Sequence, residues 1–468
     1  MTEKLNPSED RRRRGYGVVR AGMRRDGRRH GRRGLSPQEA RELAGRILRL
    51  SSADEARVNL SSGWNGNTRY AVNRITTAGE FESVQASITV RFGRREASVS
   101  TNRLDEASLR ETVAAAESLA RLAPEDPELM PELGPQEYPQ VEGYFGATAD
   151  LGPGPRGEVA AQAIDRARRA GDLEAAGFLS VSAGSSAVAN SAGLFAYHAS
   201  TGASYSLTVR SGDGSGSGWA GEGDRDWSAM HPASVHERAV DKAIRSREPR
   251  SLEPGRYAVV FEPEAVSDLV QLLASALSAR SADEGRSAFS APGGTRVGEK
   301  ILDSRVTLVS DPAGLGSQPF QGDGLPLGRE TWIENGVLRQ LSYDRFWAQK
   351  QGARPTGAPD SLRMRGEDAS LEDLIRGTRR GLLVTRLWYI RQVDPRTILY
   401  TGLTRDGTFL IEDGEIRYPV NNFRWNDSPL FALDRLEAMS RPVRVSASRE
   451  VPAIRVSEFE FTSVSEAV

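Results

Sequence analysis

The sequence predicts an α+β protein, on three observations. Amphipathic helical stripes and alternating strand segments are interspersed along one chain. Neighbouring strand segments are joined by Asn-Gly, Asp-Gly and Gly-Arg turns. After residue 255 few helices are placed to serve as crossovers, which favours antiparallel pairing. The expected architecture is an N-terminal α/β region of mixed sheets with flanking helices, followed by a mainly antiparallel β domain with few helices. Residues 1–35 read as a basic disordered arm. Residues 36–250 form an N-terminal domain of two sub-units around a linker at about 123–155, and 251–468 form the C-terminal domain.

Taken in order, Ser36-Pro37-Gln38-Glu39 is a capping box that opens a helix to about Arg49. Strands at 57–60 and 68–72 flank Asn65-Gly66, a hairpin signal. Val84–Phe92 and Glu96–Thr101 are joined by Gly93-Arg94. A helix from Asp105 to Leu122 presents Leu109, Val113, Ala116 and Leu119 on one face. A second unit starts with a helix at Gly157–Ala170. Strands follow at 177–182, 194–199 and 205–210, with a turn at Asn190–Gly193. The glycine-rich run 212–219 lacks a following Gly-Lys-Ser/Thr and reads as a loop. A helix at Ala233–Arg247 ends the unit.

The C-terminal part opens with strand Tyr257–Phe261, feeding a helix from Glu262 and Pro263 to about Arg280. Its Val266, Leu269, Val270, Leu273 and Leu277 fall on one stripe of a 3.6-residue helix. Strands are then expected at 305–310, 330–334, 337–343, 382–388, 397–401, 408–412 and 416–420, with turns at Asn335-Gly336 and Asp413-Gly414.

Composition excludes several classes. The chain is 38% hydrophobic and 27% charged, with no run near the roughly 20 apolar residues that span a bilayer. The absence of cysteine excludes disulfides, thiolate ligands and a Cys nucleophile, and fits a cytoplasmic location. Residues 1–34 carry Lys4 and eleven arginines against four acids, a net +8, leaving −9 on the remainder. No aromatic or helical pattern interleaves these arginines. The segment therefore reads as a disordered extension, or as sequence upstream of a start at Met23, and nucleic-acid binding is not expected.

Candidate chemistry is sparse. His30, His198, His231 and His236 read as surface residues. His236-Glu237 is not followed by a second histidine at helical spacing. No carboxylate stands in an apolar sequence setting that would raise its pKa. Asp323, on the loop Phe320-Gln-Gly-Asp-Gly-Leu-Pro326, is the best placed. The densest arginine–aromatic cluster is Arg386-Leu-Trp-Tyr-Ile-Arg391 with Arg405. Arg386 and Trp388 should share one strand face, and Tyr389 and Arg391 the other. Arg386, Trp388, Arg391, Arg405 and Asp323 are thus candidates for gripping a peptide or a partner.

Several ordered segments resemble the TldD/PmbA family, whose PmbA-type members are also called TldE. They are Ala71-Val-Asn-Arg-Ile-Thr76, Asn190-Ser-Ala-Gly-Leu194, Gly285-Arg-Ser-Ala-Phe289, Gly324-Leu-Pro326, Trp332-Ile-Glu-Asn-Gly-Val-Leu338, Pro355-Thr-Gly357 and Leu410-Ile-Glu-Asp-Gly-Glu-Ile416. The resemblance implies that TldD-type members are zinc peptidases, with a His-Glu-x-x-x-His helix and a late Cys ligand. TldE-type members lack these residues and pair with a TldD-type chain to cleave small or unfolded peptides. Counting back from Ser287-Ala-Phe289, the first His falls on Val270, the Glu on Gln271 and the second His on Ser275. The resemblance therefore implies a TldE-like chain without its own cofactor, zinc being expected in a metal-bearing TldD-like partner. A stand-alone peptide-binding scaffold, and a hydrolase with relocated metal-independent chemistry, are the alternatives.

Overall fold

Six strands, β1 (Glu55–Ala71), β2 (Arg74–Phe92), β3 (Arg95–Thr101), β4 (Leu173–Asn190), β5 (Phe195–Ser211) and β6 (Ser217–Asp224), form one sheet. Their spatial order is β3-β2-β1-β4-β5-β6. The computed structural model describes residues 33–465, so nearly all of the expected basic arm, His30 included, lies outside the described residues. Helices α1 (Pro37–Leu48), α2 (Glu106–Leu122), α3 (Gly146–Ala149), α4 (Pro153–Arg169) and α5 (Pro232–Arg245) accompany the sheet. Val58 and Leu60 of β1 share a core with α1 and α2. Further along the same face, Trp64 and Tyr70 share one with α4 and α5. The strand halves expected on either side of 123–155 are thus joined edge to edge through β1 and β4.

The fold is α+β, as the sequence predicts, with the strand pairing distributed differently. The N-terminal sheet is antiparallel throughout, because its successive strands are joined mostly by tight turns. Parallel pairs occur instead in the C-terminal half, where long connections permit them. Strands expected to be short are long and continuous. Asn65-Gly66 is not a turn but the middle of β1, paired on both sides. Gly66 is there for clearance, since a Cβ would lie 2.4 Å from the Arg156 guanidinium. The chain reverses at Val72-Asn73, both with positive φ (50° and 55°), the conformation of a type I′ turn. On α2 the buried stripe continues from Ala116 to Ala120, leaving Leu119 52% exposed.

In the C-terminal half, β7 (Gly255–Phe261) and strands Arg380–Asp394, Leu399–Glu412, Asn422–Asp427 and Ile454–Ser465 close into a five-membered ring. A second sheet carries strands Leu308–Ser310, Glu330–Glu334, Leu362–Met364, Val443–Ser446 and Arg449–Val451. Helix α6 (Pro263–Ser275) lies between ring and sheet, contacting strands 380–394, 443–446 and 449–451. That position explains why so much of its circumference is apolar. The helix ends before the expected Arg280. Leu277 O accepts from Ser342 N and from Ser342 Oγ (2.6 and 2.7 Å), so the backbone turns aside to bond that neighbouring segment. Leu273 is fully buried in the shared core. Leu273→Ala is expected to lower unfolding stability by about 2–5 kcal/mol, read by denaturant melts. Leu272→Ala, at a half-buried neighbour, should cost about 1 kcal/mol.

Candidate functional site

Helix α6 has two sides. Ala265, Val266, Leu269, Val270 and Leu273 enter the core. Glu264, Asp268, Gln271 and Ser275, at i, i+4, i+7 and i+11, form a polar stripe of half-buried to exposed side chains. Two arginines from different sheets face this stripe. Arg449, at the start of strand 449–451 of the second sheet, donates to Gln271 Oε1 and to Ser267 Oγ (3.5 Å). Arg386, from the 380–394 strand, interacts electrostatically with both Glu264 and Asp268.

Arg386 is itself held in an aromatic clamp. Its guanidinium lies 4.8 Å from the Trp219 ring and 4.8 Å from the Trp388 ring, with Arg405 5.0 Å from Trp388 on the same assembly. Arg386 and Arg405 both approach buried Asp406 (3.6 and 3.7 Å), which accepts a 2.7 Å hydrogen bond from Ser217 Oγ of β6. The shared face of Arg386 and Trp388 matches expectation. Beyond them Tyr389 takes a positive φ of 52°, the pairing shifts register, and Arg391 stacks on Tyr389 at 4.4 Å.

The N-terminal half of the chain reaches the site through α5. Lys242 Nζ forms a 2.6 Å ion pair with Glu262, the N-cap residue of α6, and donates to Trp219 O at 3.3 Å. Thr385 Oγ1 donates to the other Glu262 oxygen at 3.2 Å. Burial pulls the Lys242 pKa down against the opposing pull of Glu262.

The expectation that no carboxylate is perturbed is overturned on α6. Burial, reinforced by the negative charge of Glu264, pushes Asp268 up to about 7, while Arg386 and Arg449 act in the opposite sense. Burial likewise raises Glu264. Their sequence neighbours gave no warning, because the walls that exclude water come from strands more than a hundred residues away. The histidine expectation is corrected too. His198 and His236 are buried. His236 sits edge-on to Tyr205 with ring centroids 5.7 Å apart, and burial lowers its pKa to about 4. Only His231 behaves as a surface residue among those described.

Asp323 stands apart from the α6 cluster. It lines a cavity of about 630 Å³ walled by both halves of the chain, with Arg225, Phe320, Glu330, Trp332 and Ser448 among the other walls. Its carboxylate lies 3.6 Å from Arg345 and accepts from Leu325 N at 3.0 Å. Of the candidate residues, the structure joins Arg386, Trp388 and Arg405 to the α6 stripe, and leaves Asp323 elsewhere. Glu264, Asp268, Arg449, Trp219 and Lys242 were missed. The stripe was readable from its helical spacing; the others were not, because only the fold brings them to it.

The positions that align with the metal motif do not suit a metal. Val270 is buried in the core and has no donor atom. The Gln271 carbonyl oxygen already accepts from Arg449, and Ser275 Oγ bonds the Gln271 backbone oxygen at 2.8 Å. Zinc takes Cys, His or carboxylate ligands. Among the described residues no group of three or more His, Cys, Asp or Glu side chains could hold a metal ion. No helix among them is long and apolar enough to cross a membrane.

Comparisons with known proteins agree with this architecture. The chain is 27% identical over 408 residues to the metalloprotease PmbA of Escherichia coli O157:H7, covering 80% of this chain and 87% of that protein. A metalloprotease PmbA homolog of Haemophilus influenzae is 25% identical over 352 residues, covering 71% and 75%. The crystal structure of TldE from Thermococcus kodakarensis superposes with a TM-score of 0.79 at 20% identity, over 91% of this chain and all of that one. Family models for the PmbA/TldA metallopeptidase central domain and C-terminal domain match residues 154–247 and 254–463, together more than half of the sequence. The chain belongs to the PmbA/TldD family of metallopeptidase-related proteins.

Proposed function

We propose that this chain is a metal-free, TldE-like subunit of a cytoplasmic peptidase assembly. It holds small or unfolded peptides for a metal-bearing TldD-like homologue and does not cut them itself. One observation carries the reading: the helix that would present the family's metal motif has Val270 sealed in the core, Gln271 bound by Arg449 and Ser275 bound to its own backbone. At 3.6 residues per turn an i, i+5 pair is separated by roughly 140°, so two ligands at 270 and 275 would need a distorted helix. Residues 263–275 form an uninterrupted α-helix. Its polar stripe, facing arginines and indole rings, suits the ends and side chains of an extended peptide better than it suits water activation.

The test is to purify the chain alone and together with a His-Glu-x-x-x-His homologue, then measure bound zinc and cleavage of an unstructured peptide. The expected result is no zinc and no cleavage from the chain alone, with chelator-sensitive cleavage by the pair. Chelator-insensitive cleavage by the chain alone would overturn the reading in favour of relocated chemistry. Failure to co-purify with any such homologue, with peptide binding retained, would favour a stand-alone binding protein.

A further inference from the structure

We propose that the cavity lined by Asp323 binds a free dipeptide as a zwitterion, with the carboxylate on Arg225 and the ammonium at Asp360. This goes beyond the peptide-holding reading, which is carried by α6. Arg225 is half-buried in the cavity wall and is fixed there by three hydrogen bonds. Its Nε donates to Leu315 O at 2.7 Å, one terminal nitrogen to Thr201 O at 3.2 Å, and the other to Ser317 Oγ at 2.9 Å. All three acceptors are uncharged. No carboxylate among the described residues forms an ion pair with Arg225, and its neighbour Asp224 is taken by Arg444 at 3.1 and 3.2 Å. A guanidinium has five N–H donors in one plane, so one is left on each terminal nitrogen. A carboxylate can accept two such bonds at once.

The carboxylates of the cavity are not equivalent. Asp323 faces Arg345 at 3.6 Å, and Glu330 is bound by Arg354 and Gln340 at 2.8 and 2.7 Å. Asp360 is exposed, has no cationic partner among the described residues, and accepts the adjacent Ser361 N–H at 2.7 Å. Its charge is felt at Arg225 without an ion-pair contact. A fixed cation and an unpaired anion thus line one cavity without touching. A simple anion such as phosphate would gain Arg225 but be repelled by Asp360, whereas a zwitterion satisfies both. A second feature points to a ligand in the same space. Ser361, also in the lining, is only 4% exposed and is held at a φ of 53°. Its hydroxyl makes no hydrogen bond among the described residues, although buried hydroxyls are nearly always paired. Residues held in the left-handed region cluster at ligand sites. The volume lies within the roughly 300–1,000 Å³ of small-molecule pockets, and Phe320 and Leu327 supply apolar wall.

Calorimetric titration of the full chain with dialanine tests this, against acetylated dialanine, dialanine amide, free alanine and inorganic phosphate. Dialanine is expected to bind, and each of the others about tenfold more weakly or worse, since each lacks one charge or the span between the two. Asp360→Asn, at an exposed position, should bring dialanine down to the affinity of its acetylated form. Arg225→Gln, with an unchanged melting profile, should bring it down to that of the amide; if that variant does not fold, Asp360→Asn decides. Acetylated dialanine, the amide or phosphate binding as tightly as dialanine would overturn the zwitterion site, as would an unchanged affinity in Asp360→Asn. Alanine binding as tightly would overturn the assignment to a peptide. No binding of dialanine would overturn the inference and leave the metal-free-subunit reading standing, because that reading is tested by zinc content and cleavage with the His-Glu-x-x-x-His homologue.

Discussion

Lys242→Met is expected to lower the stability of the folded chain by about 3–5 kcal/mol, the usual penalty for stranding one member of a buried ion pair. Lys242 and Glu262 are only 12% and 9% exposed at their side chains and are 2.6 Å apart. With the ammonium gone, Glu262 keeps one hydrogen bond from Thr385 and is otherwise left as a charge at the junction of α5 and α6. The ion pair joins α5 to the N-cap of α6, so the loss should be seen as one cooperative shift in a denaturant melt rather than as local fraying. Adding Glu262→Gln to Lys242→Met removes the stranded charge while keeping an acceptor for Thr385. The double variant should recover most of the loss. If single and double variants melt alike, the penalty comes from lost packing of the lysine stem and not from the unpaired carboxylate.

Asp268→Asn should flatten a pH dependence of stability on the alkaline side of about pH 4. In the folded chain Asp268 keeps its proton up to about 7, whereas its ordinary value is 3.8. Between those values the folded state binds more protons than the unfolded state, so stability falls as pH rises. The cost is complete above about pH 7 and absent below about pH 4. Three units correspond to about 4 kcal/mol at most, and partial water access to the stripe brings the expected gain from Asp268→Asn at pH 8 to about 1–3 kcal/mol. Glu264, raised by the same burial, acts with the same sign. The comparison is a pair of denaturant titrations of wild type and variant at pH 5 and pH 8. A gain that is equal at both pH values would show that Asp268 titrates normally.

The aromatic clamp explains why arginine, strand and turn chemistry could be recognised separately without revealing the site. Arg386 and Trp388 share a face because strands alternate, which is a local property. That Trp219 lies on the other side of Arg386 is not local. It depends on β6, at the edge of the N-terminal sheet, being carried against the C-terminal ring. Asn65-Gly66 shows the opposite error. The dipeptide has the local signature of a hairpin turn, yet Gly66 is present to admit the fully buried Arg156, a contact between β1 and α4 that no local pattern encodes.

By itself the sequence determined the α+β class, the capping of α1, the Gly93-Arg94, Asn335-Gly336 and Asp413-Gly414 turns, and the apolar stripe of α6. These follow from backbone geometry and side-chain periodicity within a few residues. It also placed Val270, Gln271 and Ser275 on that helix, at the positions where the family resemblance puts the metal motif. Only the tertiary structure decided what the polar side of α6 became. Asp268 is an ordinary carboxylate in an extended chain. It is perturbed because the ring on one side and the second sheet on the other exclude water from it and set Arg386 and Arg449 opposite. Desolvation and long-range charge are properties of the assembled walls, and the residues that make them are dispersed from Trp219 to Arg449.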